Sequence, residues 1–380
     1  DAPTTTNCNT GDTSYGWWTP LHKGRSLAED VYEAITGWEG IENEDQLLAQ
    51  SALYAAIPYD VFGEYFCEMA FDEGTLMTPD ETLAQGEEWL TIALDHIATT
   101  GDFEIEPDIA SSAEQFAYVL RARVRWARGN NAGALEDAAR VQAGFVAWAT
   151  RDGGGQRFRW NRVFASHNSF GMNTVIGPID WWTGPGWPDV IPYTGYRNLG
   201  ILPDGRAVTD DRYPITTTES ETAVADTRVR VRDEGAVTNT FPRWSQQKYP
   251  GLDANIPLAN WEEVWLIRAE LEGGQAAIDF VNEIRSAHDL PLVTYLSATD
   301  AEGVTELIIE ERRRSLFMEG RYWATKIRED LWFPRGVGST PYPYSYRNGI
   351  RMVMPESEFE INPNLELSQR GTMCGDEAPA

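Results

Sequence analysis

The feature that most restricts how this chain folds is a repeated unit, two stretches of helical period joined by a glycine-containing reversal. Apolar and small residues recur three and four apart from about Ser26 to Glu68, through LLAQSALYAAIPYDVFGEYF, which reads as helix kinked or divided at Pro58. Thr78-Pro79-Asp80-Glu81 supplies an N-cap, a first-turn proline and an acidic first turn, and opens a helix to about Ala98. ASSAEQFAYVLRARVRWARG and NAGALEDAARVQAGFVAWA read as two more helices separated by Gly129-Asn130, a joint suited to a left-handed cap. Ala122, Ala127, Ala134 and Ala138 let such a pair approach closely. A second pair, WEEVWLIRAELEGGQAAIDFVNEIRSAHDL, turns at Gly273-Gly274. Antiparallel pairs of this kind bury their apolar faces by stacking, so the expected fold is mainly α, built of tetratricopeptide-like helical hairpins.

One region breaks the pattern. Between about Arg151 and Pro257 the chain is rich in Gly, Pro, Trp, Thr and Asp, with short alternating runs such as TRVRVR, and reads as loops with short strands. Irregular backbone of that length inside a compact protein usually carries function. The expected organisation is one domain over residues 1–380: a helical-repeat part over 20–150, an aromatic loop-rich insert over 151–257, a second helical part over 258–330, and an extended wrap over 331–380.

Charge narrows the partners. The 59 acidic residues outnumber the 31 Lys and Arg, giving a formal net charge of -28, so long-range repulsion disfavours nucleic acid and anionic lipid. No apolar run is long enough to span a bilayer. The three cysteines, Cys8, Cys67 and Cys374, lack zinc spacing. A Cys67–Cys374 bridge would tie the polar tail to the body, and three unpaired thiols is the alternative.

Catalytic signatures are missing from the sequence: there is no nucleophile elbow, no zinc-protease helix, no phosphate-binding loop and no dinucleotide fingerprint, and no cofactor is expected. RDGGGQ, Arg151 to Gln156, reads as a flexible turn without a phosphate-binding lysine. His22, His96, His167 and His288 have no ligand spacing and read as surface or packing residues. Asp180, Asp189, Asp210, Asp211 and Asp226 could supply a carboxylate pair of the glycosidase kind, but among 59 acids such neighbours arise by chance. The aromatics are more telling. PIDWWTGPGWPDVIPYTGY places Trp181, Trp182, Trp187, Tyr193 and Tyr196 on one Gly/Pro-rich loop with Asp189 between them. Flat rings stack on the C–H faces of sugars, worth on the order of 1 kcal/mol each. The loop therefore suits a sugar or peptide platform, or its rings anchor a loop poor in regular structure to the helices.

The segment ELIIEERRRSLFMEGRYWATKIRED, Glu306 to Asp330, carries six basic side chains in this acidic chain. Leu307, Ile308, Leu316 and Phe317 form an apolar stripe, the helix is expected to run to about Met318 with Gly320 ending it, and the arginines are expected to pair with acids of neighbouring helices. This stretch closely resembles the C-terminal signature I-x-x-E-R-x-x-E-L-x-x-E-G-x-R-x-x-D-L of the SusD/RagB family. QKYPGLDANIPLANWEEVWLIRAEL with VNEIRSAHDLP resembles the family's preceding block, VADTRVRV its "DPR" element with Thr227 in place of proline, and PESEFEINPNLEL its usual ending.

That resemblance implies a SusD-like fold and a surface-exposed outer-membrane lipoprotein. Such a protein captures a nutrient, commonly a glycan and otherwise a peptide, and lids a SusC-like TonB-dependent transporter. It implies no enzymatic activity, and membrane contact only through a lipid anchor. The chain starts at Asp1 where the family matures to a lipidated cysteine, so a processed or truncated start, or release from the membrane, is expected. Glu310, Arg312, Glu319, Gly320 and Arg321 are expected to hold the fold. Two other readings of the same loops are a structural surface protein that self-assembles into a layer or filament, and a helical-barrel glycoside hydrolase.

Overall fold

The computed structural model describes residues 18–165, 186–188, 193, 195–196, 199–208, 221–238, 241–333, 336–337, 345–346 and 349–374. Five helices come first: α1 (Trp18–Thr36), α2 (Glu44–Tyr65), α3 (Pro79–Thr100), α4 (Ala113–Ala127) and α5 (Asn131–Ala138). After the insert come α6 (Trp261–Glu272), α7 (Gly274–Ala287), α8 (Ala301–Ser315), α9 (Tyr322–Arg328) and the short α10 (Glu356–Ile361). No described helix is long and apolar enough to cross a membrane.

Local signals explain most boundaries. Thr78 caps α3 in a full capping box with Glu81, Gly129 takes φ +78° at the α4–α5 joint, and Gly273 and Gly274 take φ +65° and +54° between α6 and α7. Glycines also set the α2–α3 spacing. A Cβ on Gly63 would meet Leu83 Cγ at 2.5 Å, and one on Gly86 would meet Tyr59 Cβ at 3.3 Å, so the two backbones approach closely.

Three expectations need correction. The 26–68 stretch divides at residues 37–43, where Asn43 takes φ +59°, and α2 runs unbroken through the buried Pro58 because packing against α3 holds it. The stretch after Asn131 is helix only to Ala138. Gly144 at φ +86° turns the chain, and β1 (Val146–Ala149) pairs antiparallel with β7 (Ile256–Asn260). The signature helix α8 ends at Ser315, short of Met318, and residues 316–320 turn with Met318 at φ +59° and Gly320 at φ +79°.

One apolar core joins both helical parts, through Leu53, Leu90, Phe116 and Leu120 on one side and Val264, Val281, Ile284 and Ile308 on the other. A second, aromatic cluster of Phe62, Phe66 and Trp126 meets Met354 and Phe359 of the C-terminal wrap, whose Met352 N–H bonds the Tyr65 carbonyl at 2.8 Å. Within the insert lie a three-stranded sheet, β3 (Ala207–Val208), β2 (Gly200–Ile201), β4 (Val224–Ala225), and the hairpin β5 (Val231–Thr238)–β6 (Phe241–Gln246). The β1–β7 ribbon closes the base of that insert.

Candidate functional site

The basic side chains of α8 and its flanks are the key to how the aromatic insert is held. Arg313 and Arg314 are fully buried; Arg313 forks onto Glu310 one turn earlier in their own helix, and Arg314 donates to the same carboxylate through Nε. Their remaining donors reach the insert. Arg313 Nη1 donates to the Gly195 carbonyl at 2.7 Å, and Arg314 donates to the carbonyls of Gly200 at 3.1 Å and Val208 at 2.8 Å. Arg228, from the "DPR"-like element, is clamped between Asp226 and Glu311, and Arg285 of α7 bonds both Glu311 and the Gly205 carbonyl. Irregular backbone leaves carbonyls without ladder partners, and a guanidinium with five donors satisfies several at once. Burial alone would push the Glu310 carboxyl up, but Arg313 and Arg314 outweigh it and hold it down at about 2. Burial opposes ionisation of Asp226 too, and Arg228 with Arg314 keeps it well below the usual carboxylate range.

A second junction ties the helical parts together. Arg321, just past Gly320, forks onto Glu64 of α2 and bonds Glu263 of α6, which also takes Arg123 of α4. Arg312 lies against Glu270 of α6, with its guanidinium 4.7 Å from the Trp126 ring. The expected arginine–carboxylate forks are thus present, some between helices and others, at Glu310, within α8 itself.

Of the aromatic platform, Trp181, Trp182 and Asp189 lie outside the described residues, as do Asp180, Asp210, Asp211 and His167. The others divide by role. Trp187 is half-buried and meets Trp332 of the C-terminal wrap edge-on, with ring centroids 5.2 Å apart. Tyr193, in a left-handed turn at φ +55°, accepts the Tyr322 hydroxyl of α9 on its carbonyl at 2.9 Å. Beside Trp332, Phe333 sits 4.2 Å from Lys326 Nζ, and burial lowers that ammonium to about 8. Tyr196, by contrast, is 8% exposed, packed on Phe317 at 4.8 Å with the Arg313 guanidinium 5.1 Å from its ring. Its position is that of an anchor. Trp332, which meets Trp187, was not singled out from the sequence. It stands 145 residues further along the chain, and only the fold brings it back.

Sequence reasoning also missed a cavity of about 290 Å³ on the outer face of the β1–β7 ribbon, lined by Trp148, Pro257, Trp261, Lys248, Glu262 and Glu319 among others. Trp148 was hidden inside an expected helix, and strand alternation turns it outward while Ala147 enters the core. Lys248 Nζ donates to Glu319 at 2.6 Å and to the Phe317 carbonyl at 2.8 Å, and Asn260 donates to the other Glu319 oxygen at 2.7 Å. Burial pushes the Glu319 carboxyl up to about 7, more than Lys248 offsets, with Glu262 and Glu263 adding to the rise. His288 pairs with Glu262 at 2.7 Å and His96 with Asp45 at 2.8 Å, while His22 is half-buried against Trp18, Phe62 and Phe71. Asp226, the member of the five candidate acids that is described, has both oxygens occupied by arginine. Among the described residues no cluster of His, Cys, Asp or Glu is arranged to hold a metal ion.

Cys67 is disulfide-bonded, and its Sγ lies 3.7 Å from the Gly371 carbonyl, three residues before Cys374. The Gly371 N–H donates to Glu68 at 3.0 Å.

No protein-family model matches the chain. Solved structures match it over nearly its full length. A SusD-like carbohydrate-binding protein of Bacteroides fragilis superposes with a TM-score of 0.62 at 14% identity, covering 96% of this chain and 88% of that one. The chain has the SusD-like fold. Surface glycan-binding protein A of Bacteroides thetaiotaomicron, solved with laminarihexaose, superposes with a TM-score of 0.58 at 14% identity, over 92% of this chain and 84% of that one. In sequence the SusD-like likeness is local: 35% identity to SusD-like protein P38 of Formosa agariphila over 86 residues, 20% of this chain and only 17% of that relative.

Proposed function

We propose that this SusD-like protein is a non-enzymatic carbohydrate-binding protein of the outer-membrane surface, which passes an oligosaccharide to a SusC-like TonB-dependent transporter. The observation that carries this reading is the edge-on Trp187–Trp332 pair, at the end of an insert whose backbone is bonded to the buried arginines of α8. Rings on a fixed support stack on a sugar with little ordering cost. Trp181, Trp182, Asp189 and Tyr193 of the same loop complete the platform in this proposal, and Tyr196 supports it from below. The structures that share the fold include proteins named for carbohydrate and glycan binding, one of them with laminarihexaose, which makes laminarin the first ligand to try.

The test is affinity gel electrophoresis against a panel of polysaccharides that includes laminarin, followed by calorimetry on the best binder. Trp187→Ala and Trp332→Ala are each expected to weaken binding roughly tenfold, the equivalent of about 1.4 kcal/mol. Unchanged affinity in both would remove the platform. Steady release of shorter products from that binder would replace it with a hydrolase. Delivery is checked by co-purification with a SusC-like transporter from the native membrane.

The same reading assigns Cys374 as the partner of Cys67, since the tail passes Cys67 at Gly371. Cys374→Ser is expected to free a second thiol to labelling in the unfolded protein without reductant. A fall in the thiol count would refute the pairing.

A further inference from the structure

The buried arginines of the helical core are met by acid. Arg123, Arg228, Arg285, Arg313, Arg314 and Arg321 are each buried against at least one carboxylate. The loop that follows β1 departs from this rule. Arg151 and Arg159 make no ion pair with any described residue, and Arg151 Nε is buried without a hydrogen-bond partner. The acid between them does not compensate: Asp152 accepts the Gly154 N–H at 3.0 Å on its own turn. Burial, and after it the neighbouring positive charge of Arg159, lowers the affinity of Arg151 for its proton.

Both arginines stand on one hydrogen-bonded turn. Asp152 N–H bonds the Arg159 carbonyl at 3.1 Å, closing the turn, and the Trp160 indole donates to the Gly155 carbonyl at 3.2 Å. The turn is also tied to the far side of the insert. Arg151 N–H bonds Asn255 Oδ1 at 2.8 Å, Asn161 N–H bonds the Leu252 carbonyl at 2.7 Å, and Asn161 Nδ2 bonds the Ala254 carbonyl at 2.7 Å. The turn expected at RDGGGQ is present, and these bonds close it. One closed turn thus carries two guanidiniums with no acid to neutralise them, which suits it to an incoming anion, and in a chain of net charge -28 it makes a local exception to the prevailing repulsion.

We propose that Arg151 and Arg159, beside the half-buried Trp160, form a binding site for an oxyanion, the carboxylate or sulfate ester of a charged saccharide, apart from the Trp187–Trp332 corner. The saccharide part of this assignment rests on the carbohydrate-binding reading, while capture of the oxyanion does not. Guanidinium forks match both carboxylate and sulfate oxygens, and a neighbouring indole gives the sugar ring a face to lie on.

The full chain is run in affinity gels containing polygalacturonate, dextran sulfate or laminarin, at about 0.15 M salt so that the net repulsion is screened. Retardation by at least one of the charged polymers is expected, and Arg159→Gln and Arg151→Gln should each weaken it roughly tenfold. Binding to laminarin should be unaffected. Because Arg159 is exposed, its variant is expected to fold, and without ligand it should melt slightly higher than the wild type, since a like charge has been removed. An arginine with a purely structural role would give a lower midpoint. Binding of neither charged polymer, equal binding by Arg159→Gln, or a lowered midpoint in that variant would each overturn the site. Loss of laminarin binding alone would count against the Trp187–Trp332 platform and leave this site standing.

Discussion

The α2–α3 hairpin and the junction beneath the insert solve the same problem with opposite chemistry. Between α2 and α3 the surfaces are regular, so glycines and small residues at Ala56, Gly63 and Gly86 bring two complete backbones into dry contact with Leu83 and Tyr59. Around α8 one partner is an irregular chain whose carbonyls at Gly195, Gly200, Gly205 and Val208 have to be met one by one, and buried guanidiniums meet them. Packing close is enough where both sides are helical. Where one side is loop, the donors are carried by side chains, and each must be charge-balanced by Glu310, Glu311 or Asp226. The second solution is the more fragile to a single change, because removing one partner strands a buried charge.

The sharpest break should come from Arg314→Met, which leaves Glu310 and Asp226 each one partner short and takes a donor from the Gly200 and Val208 carbonyls. A loss of about 3–5 kcal/mol is expected, read as a fall in the urea midpoint. Next comes the pH dependence of the cavity beside that junction. Glu319 holds its proton more tightly when folded, at about 7, than when unfolded, near the usual glutamate value of 4.5. Its contribution is therefore fully present below pH 4.5 and is lost as pH rises through 7, amounting to up to about 3 kcal/mol. Glu310 acts in the opposite sense: its contribution is present above pH 4.5 and is lost as pH falls toward 2. Glu319→Gln should flatten the decline between pH 5 and 8, and an unaltered slope would refute the assignment. On the apolar side, Gly63→Ala sets a Cβ against Leu83 Cγ and should cost about 1–3 kcal/mol, partly restored by adding Leu83→Ala. Smallest is Thr78→Ala, which removes the α3 cap for about 1 kcal/mol. If Gly63→Ala proved costlier than Arg314→Met, the contrast between the two regions would fail.

What could be read in the chain beforehand follows the same division. The hairpin joints were legible because Gly129, Gly273 and Thr78 act locally, on the turn in which they stand. The arginine forks were legible because acid and base alternate within α8 and the charges have to be neutralised somewhere. β1 was not, because Val146–Ala149 becomes a strand only through pairing with residues more than a hundred positions later. The Trp187–Trp332 contact and the cavity at Trp148 were hidden for the same reason, being products of long-range closure. Pro58 shows packing overriding a local breaker: α2 continues through it against α3.

The β1–β7 ribbon has a consequence for how such a protein can diversify. Ala149 stands opposite Ile256, so the chain leaves the helical stack and re-enters it through adjacent strands. The chain leaves the stack at 149 and rejoins it at 256 through that one doorway, and lengthening or rewriting what lies between changes loop-closure entropy only slowly. Evolution can therefore swap the reading head and keep the chassis, provided the new version still offers carbonyls where the arginines wait.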